Sequence, residues 1–146
     1  VAIDSSLAVR RALLILMKAD ASLTAIVPAA SIYPQTTPAV PPYPFIRAGA
    51  PILTPLIASC LDGSEVTIAI HGFSTGRLSG KQLIETAEDH ASRIGAAIAK
   101  ALDRKAKAID GGTAKIRWAG SQLLQDPEEA SAYHTVQNFR VRCITA

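Results

Sequence analysis

Eight of the nine prolines lie between Pro28 and Pro55. Each lacks a backbone N–H and pushes its predecessor toward extended geometry, so helix is excluded over that stretch. Two short extended pieces fit there, Ser31-Ile32-Tyr33 and Tyr43-Pro44-Phe45-Ile46-Arg47. They flank a loop, Gln35 to Pro42, that holds three further prolines. With Pro44 inside it, the second piece suits an edge strand or the first residues of a strand. Pro51 to Asp62 carries no readable pattern, and Asp62-Gly63 is predicted to be a turn.

A chain of 146 residues reads as one compact domain over 1–146, with 28–55 as a Pro-rich arm or loop within it. It is long enough to bury roughly 68–70% of its unfolded surface without disulfide or metal. With 49% hydrophobic residues, collagen-like, disordered and disulfide-scaffold classes are excluded. A net charge of +3 names no partner. The longest aliphatic run, Ala12 to Met17, ends at Lys18. A spanning helix needs about 20 apolar residues, so no membrane segment is expected. Arg10-Arg11 before this run and Ala19-Asp20-Ala21 after it imitate a secretory signal. The run is shorter than the usual 7–15 residues or so, and the basic pair does not open the chain, so that reading is set aside. Cys60 and Cys143 have no CxxC spacing and apolar neighbours, which predicts two buried free thiols and a reducing compartment.

Ser5 or Ser6 is placed to cap a helix from Leu7 to Lys18. Its apolar residues wrap nearly all round, so it must be buried centrally or partly cover a neighbouring subunit. Asp20 caps a further turn, Ala21 to Val27, that Pro28 stops. Glu65 to His71 alternates, with Val66, Ile68 and Ile70 on one face, and predicts a strand. Gly72, Gly76 and Gly80 punctuate a loop before a long helix from about Lys81 to Lys107, whose stripe is Ile84, Ala87, Ala91, Ile94, Ile98 and Leu102. Early Glu85, Glu88 and Asp89 and late Lys100, Arg104, Lys105 and Lys107 suit the helix macrodipole. After Gly111-Gly112 two strands alternate. Ala114, Ile116 and Trp118 oppose Lys115 and Arg117, while Tyr133, Phe139, Val141 and Cys143 oppose Arg140 and Arg142. Joined by the acidic turn Asp126-Pro127-Glu128-Glu129, they form an antiparallel pair. The predicted class is α+β: a mostly antiparallel sheet packed against one long helix, with an N-terminal helix and a Pro-rich extended loop.

Little here points to catalysis. Gly72-Phe73-Ser74-Thr75-Gly76 fits the G-x-S-x-G nucleophile elbow, and Asp103 or Asp126 and then His134 follow in hydrolase order. The elbow requires a helix to start at the serine, however, and Gly80 lies six residues on, so the motif reads as a Gly/Ser loop. His71, His90 and His134 are isolated in sequence, and metal binding would need tertiary coincidence. No phosphate-loop string occurs. Neither a cofactor nor a metal is expected. Lys115, Arg117, Arg140 and Arg142 share the polar face of the last two strands and form a basic patch for nucleic acid or an acidic partner subunit. The plainer reading, and the one preferred, is an ordinary solvated face near Glu65 or the 126–129 carboxylates. Few aromatics interleave with these cations, which weakens RNA stacking.

The order of these features resembles the phage tail completion, or tail terminator, family of head–tail joining proteins. The resemblance rests on the Asp20-Ala21-Ser22-Leu23 turn and on Ser31-Ile32-Tyr33-Pro34 leading to Pro42-Tyr43-Pro44-Phe45-Ile46. It continues through Gly63 to Phe73 feeding a long helix, and ends at Asn138-Phe139-Arg140-Val141-Arg142. It implies a non-enzymatic virion subunit that forms a homo-oligomeric ring, typically hexameric, capping the tail tube at the head–tail junction after assembly in the host cytoplasm. Implied partners are the tail tube protein, a head connector or stopper protein, and DNA passing through the lumen without sequence recognition. Rigid Pro-rich segments lose little entropy on docking. Tyr33, Pro34, Pro42, Tyr43 and Phe45 are therefore the candidate intersubunit or joining surface. A nucleic-acid-binding module using the basic face is the alternative, and a small serine hydrolase comes third.

Overall fold

The structure, a computed structural model, describes residues 3–58 and 61–144. Cys60 lies outside the described residues, while Cys143 is a buried free thiol. Helix α1 spans Ser6–Ala19 and buries Val9, Ala12, Leu13 and Met17. Leu7 and Ile15 stay exposed on its other side. The expected serine cap is replaced. Asp4 accepts from the Ser6 N–H at 2.9 Å and the Ser6 hydroxyl at 2.6 Å, leaving Ser5 Oγ to bond Ser64 Oγ, buried, at 2.6 Å. Asp20 caps α2 (Ala21–Thr24) as expected, accepting from the Leu23 N–H at 2.9 Å.

The strands are β1 (Ile32–Tyr33), β2 (Phe45–Ala48), β3 (Ile52–Ala58), β4 (Leu61–Ser74), β5 (Arg77–Ser79), β6 (Gln82–Glu85), β7 (Ala106–Ile109), β8 (Gly112–Gln125) and β9 (Tyr133–Ile144). Seven form one sheet in the order β1-β2-β4-β9-β8-β7, with β3 also on β4. Contrary to the exclusion of helix, Ala29–Ser31 forms a 3₁₀ turn, its Ser31 N–H bonding the Pro28 carbonyl at 2.8 Å. The rest of the two extended pieces forms strands at Ile32–Tyr33 and from Phe45 onward, paired in parallel; every other pairing described is antiparallel. Because β2 lies between β1 and β4, it is not an edge strand, and Pro44 sits just before it where no ladder N–H is required. The unassigned stretch after Pro51 is β3, which takes the same side of β4 as β2 but at Leu61–Thr67 rather than Ile70–Phe73. Asp62-Gly63 is not a turn: both residues lie inside β4, opposite Ile57 and Leu56.

Helix α3 (Ala87–Leu102) packs on the sheet through Ile94, Ile98, Ala101 and Leu102. Val66, Ile68, Ile70, Ile116, Phe139 and Val141 meet it or α1 in one buried cluster. The approach is close: a Cβ on Gly72 would lie 2.7 Å from Ile94 Cγ2, and one on Gly95 would lie 2.4 Å from Thr135 Oγ1. The α+β class with a mostly antiparallel sheet and one long packed helix is thus observed.

The long helix is shorter than its periodicity predicts. Residues Gln82–Glu85 pair with Arg77–Ser79 as a hairpin around Gly80, whose φ of +62° suits glycine. Ile84 is therefore an exposed strand residue rather than part of the helical stripe. Thr86 caps α3, its hydroxyl accepting from the Asp89 N–H at 3.3 Å. At the other end Arg104 turns to a φ of +59° and the chain enters β7, so Arg104, Lys105 and Lys107 leave the helix. Glu88, Asp89 and Lys100 still match the macrodipole. Glu85, now outside the helix, pairs with Arg93 at 2.8 Å.

Trp118 keeps the predicted face, opposite buried Phe139, yet it is not covered. A bulge between Trp118 and Gly120 interrupts β8, and Trp118 is 47% exposed, its indole N–H donating to Gln137 Oε1 at 2.9 Å. Further along β8, Leu123 is also exposed.

Candidate functional site

The sheet face turned away from the helices follows from register. Phe45 faces Phe73, Phe73 faces His134, and Arg47 faces His71. Further along, Thr67 faces Arg140, and Glu65 faces Arg142. One face therefore carries aromatics at one end and cations at the other.

At the aromatic end, Phe45 stacks on Phe73 with centroids 4.6 Å apart, and Phe73 stacks on His134 at 4.7 Å. Tyr43 and Tyr33 lean on Phe45 at 5.2 and 6.2 Å, and the Arg47 guanidinium lies 5.7 Å over the Phe73 ring. Phe45 is buried and anchors the group, Tyr33 is half-buried, and Pro34, Pro42 and Tyr43 are exposed. Tyr43, Phe45, Phe73 and His134 line a cleft of about 580 Å³ whose other wall is the acidic turn 126–129. Partial burial first, then the nearby Asp126, Glu129 and Glu128 carboxylates, push the Tyr43 hydroxyl pKa up. The acidic turn therefore belongs to this end, far from the basic patch.

The histidines isolated in sequence are paired in space. His71 Nδ1 lies 3.1 Å from His134 Nε2. Burial first, then His134 and Arg47, bring the His71 pKa down to about 4. Burial also lowers His134, against the opposing pull of Asp126. Among the described residues, no three His, Cys, Asp or Glu side chains converge as a metal site would need. His71 and Phe73 two residues apart on a strand were the available sequence signal; the partner His134 is 63 residues away and could not be paired by pattern.

Ser74 meets a histidine, though not His134. Its Oγ lies 2.6 Å from His90 Nδ1 on α3 and accepts from the Gly76 N–H at 2.9 Å. Ser74 is 0% and His90 2% exposed, so no substrate reaches the hydroxyl, and the pair ties the end of β4 to the start of α3. Ser74→Ala leaves buried His90 Nδ1 without a partner, and a loss of about 1–3 kcal/mol is expected in urea unfolding. A fluorophosphonate probe should leave the folded protein unlabelled; labelling of Ser74 would restore the hydrolase reading.

At the basic end, Lys115 is opposite Arg142 and Arg117 is opposite Arg140 across β8 and β9, all four exposed. Arg142 Nε reaches Glu65 at 3.0 Å. Among the described residues, no ion pair or side-chain hydrogen bond engages Lys115, Arg117 or Arg140. With Trp118, they rim a shallow groove of about 510 Å³. The structure thus assembles the predicted patch with one of its two expected neutralising partners, Glu65, and not the other.

The described residues contain no helix long and apolar enough to cross a membrane. No curated protein sequence matches the chain. Among solved structures, a chain titled "Virion of native gene transfer agent (GTA) particle" superimposes with a TM-score of 0.79 at 17% identity, covering 98% of this chain and 99% of its own. That likeness establishes the fold. The family model described as Tail completion protein gp17 matches residues 11–144, and the chain belongs to that family.

Proposed function

We propose that the protein is a structural component of a phage-type virion, a tail terminator whose copies close into a ring at the head-proximal end of the tail tube. The ring is hexameric, halts tube polymerisation, binds the tube protein on one side and a head connector or stopper on the other, and lets DNA pass without reading its sequence. The chain acts as one domain, without enzymatic activity, at the head–tail junction. The observation that carries this reading is the family match over 11–144, supported by a fold shared along nearly the whole length with a chain from a virion particle. Exposed Pro34, Pro42 and Tyr43, held on the Phe45 anchor, serve as the joining arm, and the exposed Leu7 and Ile15 side of α1 is the second contact.

Native mass spectrometry and negative-stain imaging test this directly. The wild-type protein is expected to form a closed ring, alone or on tail tubes. Residues 34–44 carry the crossover between parallel strands, so the arm is altered rather than removed. Pro42→Gly with Tyr43→Ala should leave the circular dichroism spectrum unchanged and abolish ring formation or docking. A wild-type protein that stays monomeric and caps no tubes would overturn the proposal; an arm variant that assembles normally would return the loop to plain surface.

A further inference from the structure

Within one chain, the basic end of the outer sheet face is electrostatically frustrated. Arg117 and Arg140 are direct cross-strand neighbours, as are Lys115 and Arg142. Like charges directly opposite each other destabilise a sheet. Glu65 relieves only Arg142. Two repulsive pairs with one compensating carboxylate are a local conflict that the isolated fold does not need.

The complement lies on the same chain. Asp126, Glu128 and Glu129 sit at the β8–β9 turn, with Glu128 and Glu129 exposed. Their hydrogen bonds stay within the turn: Asp126 accepts from the Glu128 N–H at 3.0 Å, and Glu129 from the Ser131 hydroxyl at 2.7 Å. No cation pairs with any of the three among the described residues. Three carboxylates without an ionic partner thus match three cations without one. Across the bulge, Arg117 to Gln125 matches the seven steps from Arg140 to Tyr133 on β9, about 23 Å at about 3.3 Å per residue. The two sets cannot meet within one chain, but they can meet between neighbours.

We infer that the basic face Lys115–Arg117–Arg140 of each copy receives the acidic turn Asp126–Glu129 of the next copy. Two different surfaces meeting head to tail make a heterologous contact, the kind that closes into a ring when the rotation per step allows. Opposite charges fix its register and direction, and like-charge juxtaposition rejects the reversed arrangement. The inference rests on the ring reading above and identifies which surfaces close it.

Charge exchange tests it on the full chain by native mass spectrometry at low ionic strength, with circular dichroism melts confirming that each variant folds. R117E/R140E is expected to lose the ring, and so is E128R/E129R. An equimolar mixture of the two should recover rings of one-to-one composition, and all four reversals in one chain should recover rings alone. High salt should dissociate wild-type rings. If either double reversal assembles as well as wild type, the inference is overturned while the ring reading stands. If only R117E/R140E has an effect, and that effect is loss of DNA binding, the face serves DNA and the inference is again overturned. A wild-type chain that makes no ring alone or on tail tubes removes the ring reading and this inference with it.

Discussion

Phe139→Ala is expected to cost about 3–5 kcal/mol, the range for emptying a buried phenylalanine site. Phe139 is 0% exposed and the largest fully buried side chain. It sits opposite Ile68 on β4 and Trp118 on β8, in the middle of the sheet, on the face where α3 packs. Neighbours on three sides are held by strand pairing or helix contact, so the cavity cannot easily collapse. Against a total stability of about 5–15 kcal/mol, this leaves a marginal fold. Urea unfolding followed by circular dichroism should show a large fall in midpoint at an unchanged slope. Ile57→Ala is the control: at 93% exposure the side chain has no packing to lose, and a change within about 0.5 kcal/mol is expected. A Phe139→Ala midpoint close to wild type would mean that the sheet centre is not packed as described.

Mild acid should destabilise the protein through the histidine pair. His71 has an ordinary pKa of 6.5, and in the fold it falls to about 4 because burial, His134 and the Arg47 guanidinium all oppose a positive charge. The unfolded chain therefore binds a proton between these values that the folded chain refuses. The stability is fully present above about pH 6.5, declines as pH falls, and is lost by about pH 4. The loss from this group is about 2 kcal/mol at pH 5 and about 3 kcal/mol once both states are protonated. His134 and His90, also lowered by burial, act in the same direction. Glu85 is lowered first by its hydrogen bond to Arg93, so its stabilisation is fully present across this window and is lost only as pH falls below the ordinary carboxylate range. Denaturant unfolding at pH 7.5, 6, 5 and 4 measures the slope, and His71→Leu should flatten it. An identical slope in wild type and His71→Leu would show that this ring does not govern the acid limb.

The helix cap at Asp20, the Val66-Ile68-Ile70 face, the terminal strand pair and the extended pieces beside Tyr33 and Phe45 were legible because each is a local matter of spacing or backbone chemistry. The basic patch was legible for the same reason: alternation puts Lys115 and Arg117 on one side of a strand and Arg140 and Arg142 on one side of the next. The overlong helix shows where local reading failed. Ile84 fits the apolar stripe of Ala87, Ala91 and Ile94, but pairing of Gln82–Glu85 with Arg77–Ser79 across Gly80 takes it into a hairpin. Competition between a helical turn and a strand partner is decided by the partner, which periodicity does not contain.

By itself, the amino-acid sequence determined that residues 28 to 55 form no α-helix, only a single 3₁₀ turn at Ala29–Ser31, which strand faces are apolar, and that four cations lie on the polar side of two strands. Proline geometry and side-chain period act within a few residues, so no distant contact is needed. Only the tertiary structure decided that β2 is an interior strand, that Ser74 bonds His90, that His71 meets His134, and that the acidic turn faces the Pro-rich arm rather than the basic patch. Those pairings join residues far apart in the chain. They depend on strand order and register across the sheet, which the long-range packing of α3 and the β4–β9–β8 core selects.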